Sequence, residues 1–333
     1  MAFPGGSIPA DIILPEWEEI DYAANGYPFT DATYAGSFPI RKAAKLSIKP
    51  RDRKDVNQEG WNDLFDVLID AELYGNSLKV LQTMYLLWRN GPNNIRCKDE
   101  TGKWFNFVKN ASGLIATGTA TGSVLLSNMF TFEVGDAERS IKSKWAGAMY
   151  RDEMNWLYTN SGSGAAGGVS GAAISGMQHV HYDPADYAAP GLLDVLINDG
   201  TNNFSLGELE AGTKFVLDFH TQGHTQTRHQ EIPGWVDIKG EVVMWQSAFD
   251  ELAYLFGNQN KDVTTTFVLP PAEGETANME IICVNSVMPS HEYDADETKN
   301  LVKVAFDGRV RGSSNIVFNS GANSLTLTRA GYV

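Results

Sequence analysis

Sixteen consecutive residues near the middle of the chain, Ser161 to Gly176, read SGSGAAGGVSGAAISG. Gly, Ser and Ala bury too little side chain to offset the entropy lost when a segment is ordered. Such a stretch is no part of a core. It is expected as a flexible connection or an extended arm, and it leaves two segments, 1–160 and 177–333, each long enough to bury a core of its own. The 333 residues are 43% hydrophobic and 20% charged, the composition of a folded protein rather than a disordered one.

The two segments read in a similar order. In the first, Trp61 begins WNDLFDVLIDAEL, where Trp61, Leu64, Phe65, Leu68 and Ile69 fall at helical spacing. In the second, Trp245 begins WQSAFDELAYLF, with Ala248, Phe249, Leu252 and Leu255 on the same stripe. Each ends at a Gly-Asn pair, Gly75-Asn76 or Gly257-Asn258, which suits a helix C-terminus needing positive φ. A strand is expected after each helix, Leu78 to Trp88 and Val263 to Leu269. A turn follows, then another strand, Trp104 to Lys109 and Met279 to Val284. Closing strands are expected over 138–150 and 300–312, both with a large aromatic, Trp145 or Phe306, just before a glycine-containing bend. A strand also precedes each helix, at 44–48 and 237–245. The reading is a diverged tandem duplication, mainly β, each unit a sandwich or barrel flanked by one helix. Its expected parts are an N-terminal arm 1–37, a first domain 38–158, a linker or arm 159–204, a second domain 205–312 and a C-terminal strand or arm 313–333.

Charge excludes one class of function. Lys and Arg total 26 against 41 Asp and Glu, a formal net charge of −15. Tight nucleic-acid binding depends on basic groups that displace counterions from phosphate, so this chain is not expected to grip DNA or RNA. Surrounding a duplex without holding it remains compatible. The two cysteines, Cys97 and Cys283, lack metal-type spacing and are expected as buried free thiols. No apolar run reaches the ~18 residues of a membrane span, and the N-terminus lacks the pattern of an export signal.

Nothing in the pattern singles out a catalytic centre. His220 and His224 have HxxxH spacing, and with His229 they would make a zinc set if the segment were helical. Gly223 and the surrounding Thr and Gln residues favour a loop instead. His179 and His181, with Asp183 or Asp186, have the residue types of a two-His, one-carboxylate iron site, but further ligands cannot be placed. There is no GxSxG elbow and no phosphate-cradling loop, and no carboxylate pair stands out as a glycosidase would require. No catalytic, cofactor-binding or metal residue is assigned, and an enzyme is not expected. Trp61, Trp104, Trp145 and Trp245 sit on apolar faces of expected elements, which favours core packing over sugar stacking.

The second segment resembles a known family. The strand opening at Gly234-Trp235, the short helix 246–256, the Thr-rich strand 261–269, Ile281 to Val284, and VKVAFDGRVRG at 302–312 follow the element order of tail tube proteins of long-tailed, siphovirus-like bacteriophages. The resemblance covers about 205–315 and, through the repeat, roughly 25–158. The charged stretch Lys49 to Glu59 departs from the family's pattern. The resemblance implies a structural virion protein without cofactor, a β-sandwich with one helix, and rings that stack into a tube for DNA ejection. Two tandem domains would imply three copies per ring, with tail-tip and tail terminator proteins as further partners. An acidic lumen, and arms from 161–176, 1–37 and 313–333 reaching the neighbouring ring, would fit that picture. The alternatives are another β-sandwich virion or tail-tip protein, a two-domain β metalloenzyme using the histidines, and a carbohydrate-binding protein.

Overall fold

The computed structural model describes residues 17–23, 35–50, 64–75, 78–90, 93–99, 104–109, 125–135, 139–150, 154–159, 191–207, 209–224, 231–245, 262–271, 276–296, 300–310 and 316–320. These residues make a mainly β protein, as the patterning implies, with one helix among them. The first half supplies β1 (Trp17–Ala23), β2 (Ala35–Pro50), β3 (Leu64–Tyr74), α1 (Leu78–Asn90), β4 (Asn93–Asp99), β5 (Trp104–Lys109), β6 (Leu125–Val134), β7 (Arg139–Tyr150) and β8 (Met154–Thr159). The second supplies β9 (Asp194–Asn198), β10 (Asn203–Ser205), β11 (Lys214–His224), β12 (Glu231–Trp245), β13 (Val263–Leu269), β14 (Met279–Asp296), β15 (Leu301–Val310) and β16 (Ile316–Ser320).

All of these strands pair antiparallel. In the first half six of them close a circuit, β1–β4–β6–β7–β3–β2 and back to β1. In the second half the same connectivity recurs as β9–β13–β14–β15–β12–β11. Each strand occupies the same place in chain order as its counterpart. The second series does not close among the described residues: β10 extends it beyond β9, and Leu209 bridges Met244 of β12. The halves are not separate bodies. β6 pairs β11 from Phe130↔Phe219 to Val134↔Phe215, so one sheet runs through both. The buried apolar residues of both halves form a single cluster. β1 lies within the stretch expected as an arm, β9 lies within the stretch expected as a linker, and β10 spans the boundary expected at 204/205.

Two first-half assignments are exchanged. The segment expected as a helix, 61–73, is β3 over its described part, and the segment expected as a strand, 78–88, is α1. Burial explains both. In β3 Ile69, Ala71 and Leu73 are buried and alternate with Asp70, Glu72 and Tyr74, a period of two. In α1 the buried residues are Val80, Leu81, Met84, Tyr85, Leu87 and Trp88, a helical stripe. A run of large apolar residues broken only at Gln82 and Thr83 fits either period over a few residues, and packing decides. The second expected helix, 246–256, lies outside the described residues, and β16 lies within the stretch expected as a C-terminal strand or arm.

Gly75 therefore has a different task from helix capping. A Cβ there would sit 2.9 Å from the Arg139 carbonyl carbon and 2.9 Å from the Ser140 nitrogen, so only glycine lets β3 end this close to β7. Its N–H donates to the Arg139 carbonyl at 3.3 Å. The long strands β12 and β14 carry prolines where their ladders slip: Pro233 follows the shift between Phe219 and Thr221, and Pro289 lies inside the shift between Val287 and Ser290. A residue without an N–H is tolerated at such irregularities.

Candidate functional site at the junction of the halves

The junction β6·β11 is built from alternation. Phe130, Phe132 and Val134 on β6 and Phe215, Leu217 and Phe219 on β11 all point inward and are buried. Phe130 stacks on Phe219 with centroids 4.0 Å apart, and Phe215 stacks on Phe267 at 4.3 Å. Such pairs add about 0.5–1.5 kcal/mol beyond their buried area. α1, a first-half element, roofs this seam. Tyr85 meets Phe219 and Phe318 edge-on, and Trp88 meets Phe219 edge-on at 5.3 Å. The Trp88 indole N–H donates to the His220 carbonyl at 3.1 Å. Asn93 Nδ2 donates to the Leu87 carbonyl, one of the helix's unpaired terminal acceptors. Buried Arg139 donates Nη2 to the Pro270 carbonyl across the halves.

The opposite face of the same sheet is polar. One row runs Glu72, Lys142, Thr131, Asp218, Asp237 and Arg309, each opposite the next from β3 to β15. Ion pairs lace it: Lys142 with Glu133 at 2.6 Å, Lys303 with Glu241 at 2.8 Å, Arg41 with Glu72 at 3.2 Å. Across the seam itself Thr131 Oγ1 donates to Asp218 Oδ1 at 3.0 Å. A shallow groove of about 630 Å³ follows this face, bordered by Lys45, Asp70, Lys144, Asp218 and His220 among others. Carboxylates and cations alternate along it.

At the second-half end of the groove His220 stacks on Trp235 with centroids 5.1 Å apart. Its Nε2 lies 3.0 Å from Asp237 Oδ2 and 3.3 Å from Asp218 Oδ2, close enough for charge attraction but without hydrogen-bond alignment. Asp237 accepts from Arg309 Nε at 2.7 Å and from Trp235 Nε1 at 3.1 Å. Burial alone would raise the Asp237 carboxyl, but the bonds from Arg309 and Trp235, and the charges of Arg309 and His220, hold it below its ordinary value. A carboxylate kept ionised and neutralised in this way braces β11, β12 and β15 together. It has no proton to give at neutral pH.

The expected histidine sets do not assemble among the described residues. His220 and His224 both lie on β11, which extends through the segment expected as a loop. On a strand they stand roughly 13 Å apart, against about 6 Å for one helical turn. His229, His179, His181, Asp183 and Asp186 lie outside the described residues, as does the segment 161–176. Among the described residues no group of three or more His, Cys, Asp or Glu side chains is placed to hold a metal ion. Cys97 and Cys283 are buried and free, as expected. Trp145 is core, as expected, whereas Trp245 is 45% exposed and donates to Glu210 Oε1. The terminal residue of β12 points to the polar side of its strand. The reading from sequence did not single out Phe130, Phe219, Asp218 or Arg309, although the alternations 130–134 and 215–219 carry the signal.

No protein-family model matches the chain, and no curated protein matches its sequence. Among the described residues no helix is long and apolar enough to cross a membrane.

Proposed function

We propose that the protein is a structural virion subunit that assembles with copies of itself into stacked rings, the tail tube of a long-tailed bacteriophage, through which DNA passes without being gripped. One observation carries the reading: a six-strand pairing order occurs twice, closed into a circuit in the first half and open in the second among the described residues, and the two occurrences are fused edge to edge through β6·β11. A unit that docks edge-on to a related unit within one chain is suited to repeat that docking between chains. Closing the series into a ring leaves no bare strand edge. On this reading the halves are a tandem duplication, three copies make a ring of six units, and tail-tip and terminator proteins cap the stack. Among the described residues of the sheet's polar face cations are interleaved with carboxylates, an arrangement that does not favour holding phosphate. The reading assigns no catalytic, cofactor or metal role, and places the protein in the virion after synthesis in the host cytoplasm.

The test is negative-stain electron microscopy with sedimentation velocity at high protein concentration, with and without assembled tail tips as nucleators. Hollow filaments or stacked rings are expected. A monodisperse monomer that also stays inert beside tail tips would overturn the reading.

A further inference from the structure

The filled junction β6·β11 has an open counterpart at each end of the repeat. By pairing order β14 corresponds to β6 and β2 to β11. Residues 130–134 of β6 lie between β7 and β11, and residues 215–219 of β11 lie between β12 and β6. Their counterparts have one neighbouring strand each among the described residues. β13 occupies one side of β14 as far as Ser286, and beyond that residue only β15 pairs with it. Residues 40–50 of β2 pair with β3 alone.

The repeat also sets a register. Trp145-Ala146-Gly147 on β7 aligns with Phe306-Asp307-Gly308 on β15. Ile69 pairs both Trp145 and Leu46, while Gly240 pairs both Phe306 and Phe215, so Leu46 corresponds to Phe215. Asn128 pairs Trp145 and His291 pairs Phe306, so Phe130 corresponds to Tyr293 and Thr131 to Asp294. The charges of the two open stretches are opposite. Residues 41–49 contain Arg41, Lys42, Lys45 and Lys49 and no acid, whereas 287–296 contain Glu292, Asp294 and Asp296 and no Lys or Arg.

We propose that the open edge of β2 in one copy pairs antiparallel with the open edge of β14 in a second copy, with Pro50 opposite Tyr293, Lys49 opposite Asp294 and Ile48 opposite Ala295. This deepens the self-assembly reading and rests on it in taking a second copy as the partner. Between copies, Lys49 and Asp294 take the position that Asp218 and Thr131 hold inside the chain. Two β2 edges would bring like charges together, as would two β14 edges, so the contact is head-to-tail. A head-to-tail contact either closes into a ring or continues as a filament.

The experiment uses full-length chains carrying Lys49→Cys or Asp294→Cys, mixed and treated with a short bis-maleimide. The native thiols are buried. The mixture is expected to give a cross-linked dimer on a denaturing gel, and a chain with both substitutions a ladder. Cross-linking of Lys49→Cys to itself would overturn the head-to-tail contact. In parallel, Lys49→Glu and Asp294→Lys are each expected to weaken self-association at least tenfold by sedimentation, and the chain carrying both to regain it. Circular dichroism confirms that each variant folds. Folded charge-reversal variants that assemble normally, or a folded double variant that stays dissociated, would overturn the pairing. Filaments without the cross-link sink this contact and leave the tube standing. Cross-linked rings that never stack sustain the contact and sink the tube.

Discussion

The two halves share one order of strand pairing, closed into a circuit only in the first among the described residues, and differ in what borders it. The first closes through two residue pairs, Asn93↔Leu126 and Asn94↔Leu125, while its counterpart β13·β14 runs from Val263 to Leu269. The first adds the antiparallel pair β5·β8 beyond β4, and the second adds β16 beside β14. The larger contrast is at one pair of equivalent strands: β6 has its outer edge filled by β11, while the corresponding part of β14 has no described neighbour there. The pairing order is what the repeated stretches specify, and the additions sit where each half meets a different neighbour.

Breaking the filled edge is the most severe way to test that comparison. Phe219→Ala removes the stack on Phe130 and the edge contacts to Tyr85 and Trp88, and is expected to cost about 3–5 kcal/mol. Chemical denaturation measures it. If the halves are one cooperative unit, the wild type unfolds in one transition, and two well-separated transitions would show that the junction couples them weakly. Gly75→Ala strikes the first half alone. The new Cβ meets backbone rather than a movable side chain, so a loss of about 1–3 kcal/mol is expected from thermal melts. Conversion of the alternate-side Tyr74 to Phe, which leaves the close approach untouched, is the control for that variant.

Cys283 tests the second half by pH. Burial pushes its thiol up to about 12 from 9.0. The folded protein keeps a proton that the unfolded chain releases, so this contribution is intact below pH 9 and is lost as pH rises from 9 towards 12. Each pH unit in that window removes up to about 1.4 kcal/mol. Cys283→Ala is expected to flatten the fall in melting temperature between pH 8 and 10, a range below the ordinary value of 10.0 for Tyr85, which burial raises to about 12. The smallest effect belongs to Asp237→Asn. The lowered carboxyl contributes stability above its unfolded value near 3.9, and loses it as pH falls through that value to the folded one. A change under about 1 kcal/mol at neutral pH is expected, since Arg309 is half exposed. Acid titration of the melting temperature should shift between wild type and variant only below about pH 5.

Much of the strand pattern was legible. Trp104 to Lys109 and Val263 to Leu269 coincide with β5 and β13, because clear alternation between turn residues admits one reading. The exchange of β3 and α1 has a physical origin: Asp66, Asp70 and Glu72 can be spaced to suit either period until a neighbouring strand selects the face. The junction was harder to foresee. Pairing between Phe130–Val134 and Phe215–Phe219 joins residues more than eighty positions apart, and no local pattern encodes which of several apolar strands will meet. Trp245 was read as core from its neighbours, but it ends a strand and its parity puts it on the polar side. The His220 cluster was invisible as a brace, because Asp237 and Arg309 reach it only through two ladders, β11·β12 and β12·β15.

The docking of α1 sets an order of events during synthesis. Its aromatic face is completed by Phe219 and Phe318, so the helix leaves the ribosome long before the strands it covers exist. At about 5–20 residues per second, the stretch from Trp88 to Phe318 takes on the order of ten to fifty seconds to translate. Through that interval Tyr85 and Trp88 lack their final cover, and the nascent first half cannot reach its finished packing. Completion of the fold waits for β16, the last described strand, so the helix finds its final packing late in synthesis.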